Sequence, residues 1–138
     1  MGLFTSLFSS KVSEQPSGKN EVAVLMGIGN FDMEIAGTAH YQAALEAICG
    51  PRLSNGVNRF ETACLILDDK NRVRVEIRRK LVGYLSPENA GRYGELLKAR
   101  GTPKARGQCQ AAIRGGWVSS DGRKGPYHVW LDLLMSQR

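Results

Sequence analysis

A row of arginines carries the most chemistry. Arg72, Arg74 and Arg78 stand at alternate positions of Arg72-Val73-Arg74-Val75-Glu76-Ile77-Arg78. Alternation is the period of a half-buried strand, so the arginines share one face with Glu76 while Val73, Val75 and Ile77 turn to a core. Arg79 and Lys80 extend the positive run into the turn that follows. A cationic groove tracks phosphates, and flat side chains give bases something to stack on, at about 1–3 kcal/mol per base. Tyr41, Tyr84 and Trp117 are the stacking candidates, and Asp69 is a candidate acceptor for a base edge or a terminal hydroxyl. Each residue also has a plainer use. Tyr41 opens an apolar helical stripe, Tyr84 can hydrogen-bond at a rim, and Trp117 and Trp130 can pack in a hairpin. Asp69 and Asn71 can shape a turn, His40 can hydrogen-bond at a helix start, and the arginine face can guard a sheet edge.

Other chemistries have little to stand on. Gly27-Ile28-Gly29 is a G-x-G, but Asp32 holds the place of the third glycine of a dinucleotide fingerprint. There is no P-loop, G-x-S-x-G or H-E-x-x-H. His40 and Cys49 can be paired on paper, but they stand nine residues apart along a helix entry. His40 and His128 are the only histidines, and Cys49, Cys64 and Cys109 form no C-x-x-C, so no sequence-local zinc motif exists. An odd, scattered set of cysteines fits a reducing, cytoplasmic setting rather than a disulfide scaffold. The expectation is a protein that is not an enzyme and needs no cofactor.

These residues must be positioned by short elements. Val22–Met26 reads as a strand, and Phe31-Asp32-Met33-Glu34-Ile35 alternates as a half-buried one. Tyr41, Ala44, Leu45 and Ile48 form the stripe of a helix that Gly50-Pro51 stops. Phe60–Leu67, the arginine strand and Leu81–Leu85 follow. Ser86-Pro87-Glu88 supplies an N-cap, a first-turn proline and an acid, and opens a helix with Ala90, Tyr93 and Leu97 buried. Gly101 and Pro103 end it. Gln108–Arg114 and Tyr127–Leu133 alternate on either side of a turn-rich loop, the pattern of a hairpin, with Gly115-Gly116 as a candidate bulge.

The 138 residues suit one domain at about 150 residues per domain. Hydrophobic residues at 42% and charged residues at 23% exclude wholesale disorder. No apolar run is long enough for a membrane-spanning helix. The formal charge is +6, and it is uneven. Lys70 to Arg114 holds twelve basic and three acidic residues, a net of +9 against −3 elsewhere. Such asymmetry points to a polyanion, either nucleic acid or an anionic lipid surface. Residues 1–20 read as a flexible tail and 21–135 as the domain. The tail opens Met1-Gly2-Leu3-Phe4-Thr5-Ser6, which matches the N-myristoylation pattern, and Leu3, Phe4, Leu7 and Phe8 make an apolar tip that can contact a membrane.

Taken in order, these segments form a further pattern. A strand leads to Gly37-Thr38-Ala39-His40-Tyr41 and a helix. Asp69-Lys70-Asn71-Arg72-Val73-Arg74-Val75, Val82-Gly83-Tyr84-Leu85-Ser86 and a helix from Pro87-Glu88-Asn89-Ala90 follow. The chain closes with Gly115-Gly116-Trp117 and Tyr127-His128-Val129-Trp130-Leu131-Asp132-Leu133. This order and spacing, over residues 31–134, resembles the HIRAN domain in the form found in small bacterial proteins. The resemblance implies an OB-like β-barrel. It also implies binding of single-stranded DNA with capture of a free 3′ end, a DNA-repair setting, and a separate helicase or nuclease as partner. The family's Arg-Tyr-Tyr falls on Ala39, His40 and Tyr41, so the tyrosine at Tyr41 is kept, His40 replaces an aromatic, and the arginine is absent. Its Asp-x-Asn falls on Asp69 and Asn71, followed by Arg72 where the family has a small residue. Its glycine-aromatic-leucine element falls on Gly83, Tyr84 and Leu85.

The expected fold is mainly β (α+β): a small OB-like β-barrel of about six strands with two short helices. The expected site is His40, Tyr41, Asp69, Asn71, Arg72, Arg74, Arg78 and Tyr84, a non-enzymatic surface for single-stranded DNA or DNA ends. The alternative is a protein-interaction domain that docks an acidic or apolar partner segment.

Overall fold

Alternation of apolar and polar residues builds the sheet in the computed structural model, which describes residues 21–135. The strands are β1 (Val22–Val24), β2 (Met33–Glu34), β3 (Val57–Leu67), β4 (Val73–Ile77), β5 (Lys80–Tyr84), β6 (Arg106–Gly115) and β7 (Tyr127–Asp132). In β4, Val73, Val75 and Ile77 are fully buried while Arg74 and Glu76 turn outward, as the alternation predicts. In β7, Tyr127, Val129 and Leu131 take the inner face. The second strand is shorter than expected, because Phe31 has a left-handed backbone (φ 48°) that a strand cannot hold. The tail, with its myristoylation pattern and membrane-contact reading, lies outside the described residues.

The strands run in the order β2-β7-β6-β3-β4-β5, each antiparallel to its neighbour. β1 adds in parallel to Arg106–Gln108 of β6, on the edge that β7 takes farther along. The sheet curls until its two ends meet. Beyond β2, the Ile35 amide donates to Val129 O in β7 (3.0 Å), and Ala36 exchanges both backbone hydrogen bonds with Tyr84 of β5. The architecture is thus the small, OB-like, mostly antiparallel α+β fold expected from the sequence.

Two helices cover the barrel. α1 (Gln42–Cys49) buries Leu45 and Ile48 and stops at Gly50. α2 (Pro87–Ala99) starts where the Ser86 hydroxyl accepts from the Asn89 amide (3.2 Å) and buries Tyr93, Leu96 and Leu97. Its end is a Schellman turn: the amides of Gly101 and Thr102 donate to Lys98 O and Leu97 O. Tyr93 reaches inward, and its hydroxyl donates to Leu65 O (3.2 Å). One hydrophobic cluster unites both helices with the inner faces of the strands. Neither described helix is long and apolar enough to cross a membrane.

Candidate nucleic-acid interface

The Ala36–Tyr84 bridge sets the site. The Ala36 amide donates to Tyr84 O (2.7 Å), and the Tyr84 amide donates to Ala36 O (2.9 Å). Gly37 follows in a left-handed conformation (φ 80°) and starts a 3-10 turn over Thr38–Tyr41, which leads directly into α1. Two stretches distant in sequence thereby bring Tyr41 and Tyr84 together, with ring centroids 6.4 Å apart and planes inclined by 55°. His40 sits edge-on to Tyr41 at 6.3 Å. Gln42 pins the helix start: its Nε2 donates to Tyr127 O (3.1 Å) and its Oε1 accepts from the Tyr127 amide (2.8 Å).

Arg72 completes the group. Its guanidinium lies over the Tyr84 ring, 4.6 Å from the centroid, in a cation–π arrangement. The chain delivers it there through the β3–β4 turn. The Asp68 carboxylate accepts from the amides of Lys70 (2.9 Å) and Arg72 (2.8 Å) and from Arg72 Nε (3.0 Å). Asn71 occupies the left-handed position of this turn (φ 62°), a conformation that asparagine tolerates. Burial raises the Asp68 carboxyl, but the Arg72 and Lys70 amides and the Arg72 guanidinium outweigh it and hold it below the usual range. Around this group lies a groove of about 460 Å³. Lys70, Asn71, Arg72 and Tyr84 line it together with the apolar surfaces of Ala36, Leu85, Pro87 and Ala90.

Tyr41 and Tyr84 suit stacking rather than acid–base work. Partial burial and the Tyr84 hydroxyl raise the Tyr41 phenol, against the pull of Arg72 and Arg74, so the ring stays neutral at physiological pH. A guanidinium plane resting on a tyrosine ring is itself a platform for a base.

Not every sequence-predicted residue joins this cluster. Asp69 instead lines a second groove of about 640 Å³, on the other side of the Asp68–Arg72 turn, with Lys104 and Arg106. Arg74 borders both: it lines this second groove, yet it pairs with Tyr84 across β4 and β5 and stands close enough to act on the Tyr41 phenol. The Arg74 guanidinium is partly engaged, with Nη2 2.7 Å from Glu76. Arg78 is a correction. β4 ends at Ile77, and Arg78 and Arg79 form a two-residue turn with left-handed φ values of 52° and 65°. The Arg78 side chain does not share the Arg74 face, and its Nη2 stands 3.0 Å from the Glu61 carboxylate. Trp117 is set in the β6–β7 connection, bridged to Leu53 and accepting from the Gly125 amide.

The alternative chemistries also find structural roles. The Gly29 amide donates to Asp132 Oδ1 (2.9 Å), and Gly27 leaves no room for a side chain against that carboxylate. The G-x-G therefore wraps a carboxylate of its own chain. His40 lies in the 3-10 turn that precedes α1, and Cys49 is the last residue of α1, so the length of the helix separates them. Burial raises the Cys49 thiol, the reverse of an activated nucleophile. Burial likewise pushes the Cys109 thiol up to about 12. All three cysteines are free. Among the described residues no three of His, Cys, Asp and Glu gather as a metal site.

The sequence reading missed three contributors: Asp68, which organises the turn, Lys70, which lines the groove, and Gln42, which anchors α1. The Asp68-x-x-x-Arg72 spacing was the available signal for the first. Comparison of the chain with family models, with curated proteins and with solved structures finds no match.

Proposed function

We propose that this protein is a non-enzymatic module that binds single-stranded nucleic acid, with the groove beside Tyr84 as the base-stacking site. The observation that carries the reading is the Arg72 guanidinium resting on Tyr84, with Tyr41 beside the ring, at the edge of an apolar groove. Stacking surface and phosphate charge are thus presented at one place, as sequence-tolerant single-strand binding requires. Lys70 and Arg72 are the phosphate contacts, and Tyr84 and Tyr41 the base contacts. The HIRAN resemblance adds single-stranded DNA ends as the substrate class, a role in DNA repair, and a separate helicase or nuclease as partner. With Ala39 where that family has arginine, 3′-end preference rests on the tyrosines and the Lys70–Arg72 turn. Three free cysteines suit a cytoplasmic setting.

The test is a titration of the labelled full chain with a ten-nucleotide oligo-dT, followed by backbone amide NMR shifts. Shifts centred on Ala36, Arg72 and Tyr84 are expected. Shifts confined elsewhere would overturn the assignment.

A second reading, docking of an acidic or apolar partner segment, draws on a different surface. Met26 (77% exposed), Ile28 (72%) and Phe60 (57%) are open to solvent, and Phe31 packs on Phe60 at 5.2 Å. Salt separates the two. Single-strand binding weakens with a log–log slope of about −0.7 per phosphate neutralised, whereas docking of an apolar segment is far less salt-sensitive.

A further inference from the structure

The tip of the β4–β5 hairpin combines two costs. Ile77 pairs with Lys80, so Arg78 and Arg79 are the central residues of a two-residue turn, both with positive φ. Hairpins of this kind favour Asn-Gly or Asp-Gly, whose backbones accept the left-handed region. Two arginines there are strained. They are also crowded by like charge. Arg78, Arg79 and Lys80 are consecutive and exposed, and Arg59 approaches from β3. One carboxylate, Glu61, serves both Arg59 and Arg78. Arg79 and Lys80 form no ion pair among the described residues. A polyanion lying across the tip removes the repulsion.

The tip is continuous with the stacking groove. β5 runs from Lys80 to Tyr84, so Arg79 lies about 16 Å from Tyr84 at about 3.3 Å per residue. That span is about five nucleotides at the 3.4 Å spacing of a stacked strand, within the footprint of OB-type modules. We propose that the Arg78-Arg79-Lys80 tip is a second phosphate contact on the same single strand whose bases stack at Tyr84. This inference rests on the stacking groove, and it adds a defined path along the hairpin and a minimum strand length.

The test uses the full chain and two oligo-dT probes, three and twelve nucleotides long, in a salt series. Arg78→Asn/Arg79→Gly installs the turn-favoured pair and removes two charges. Its melting temperature is expected to hold or rise. Its affinity for the twelve-mer is expected to fall about tenfold at low salt, with the salt slope reduced by about 1.4. Affinity for the three-mer, which fills the groove alone, is expected to stay. Lys80→Gln, which leaves the turn backbone untouched, is expected to reduce the twelve-mer slope by about 0.7. Arg92→Gln/Lys124→Gln, a loss of two charges elsewhere, is expected to leave both probes unaffected. Wild-type affinity and slope in the two tip variants, alongside weakened binding of both probes by Tyr84→Ala, would overturn the second contact and leave the groove standing. Unchanged binding of both probes in Tyr84→Ala would overturn the groove and the inference with it.

Discussion

Ala36 and Tyr84 exchange two backbone hydrogen bonds, of 2.7 and 2.9 Å, and with them the curled sheet joins its ends. The same bridge positions the candidate site. Ala36 leads through Gly37 to Tyr41, and Tyr84 carries the ring on which Arg72 rests. Closure of the fold and assembly of the stacking surface are therefore one event, and damage to the bridge reaches both.

Gly83 is the place to damage it. A methyl group on Gly83 would lie 2.6 Å from Ala36 O and 2.8 Å from Ile35 Cδ1. Gly83→Ala is expected to destabilise the fold by about 1–3 kcal/mol in urea unfolding and to weaken oligonucleotide binding in parallel. Gly91→Ala supplies the contrast. Gly91 lies within α2 with nothing near its absent side chain, so the substitution is expected to stabilise by about 0.5–1 kcal/mol and leave binding alone.

Arg72 separates charge from shape. Arg72→Lys keeps the positive charge and loses the flat plane over Tyr84. It is expected to retain the salt slope while affinity falls severalfold. Arg72→Ala is expected to lose affinity further and to reduce the slope by about 0.7. Equal binding by Arg72→Lys and wild type in titrations at several salt concentrations would show that the stacked geometry is idle.

The elements that position these groups were legible wherever one face is apolar. β4 reads directly from Val73, Val75 and Ile77, and α2 from Ser86-Pro87-Glu88 and its Tyr93–Leu97 stripe. The closure was not legible, because backbone pairing between Ala36 and Tyr84 leaves no side-chain period. Arg78 was misplaced because Arg-Arg carries no turn signal, and alternation alone ran the strand one residue too far. Of the candidate site, Tyr41, Tyr84 and Arg72 meet as one cluster, with His40 and Asn71 at its margin. Asp69 does not. The preceding Asp68 takes the amide bonds of the turn, and Asp69 lines the neighbouring groove.

Acid should loosen the molecule through two carboxylates. Burial raises Glu61, but Arg59 and Arg78 outweigh it, and Glu61 and Asp68 both lie below their ordinary values of 4.5 and 3.8. A depressed folded-state pKa stabilises above the unfolded value, and that stability disappears as pH falls through the folded one. Stability is therefore expected to decline from about pH 5 downward. Asp68→Asn and Glu61→Gln should each flatten the decline in unfolding midpoints measured between pH 3 and pH 7. Acid limbs parallel to wild type in both variants would contradict this account.

The central claim is that bases stack at Tyr84. Fluorescence anisotropy of a labelled single-stranded oligonucleotide, titrated with wild type, Tyr84→Phe and Tyr84→Ala across a salt series, tests it most directly. Tyr84→Phe is expected to bind like wild type, and Tyr84→Ala to lose about 1–3 kcal/mol at every salt concentration with its slope unchanged. Wild-type affinity in Tyr84→Ala, or no binding by wild type even at low salt, would contradict the account and move the partner-docking reading to first place.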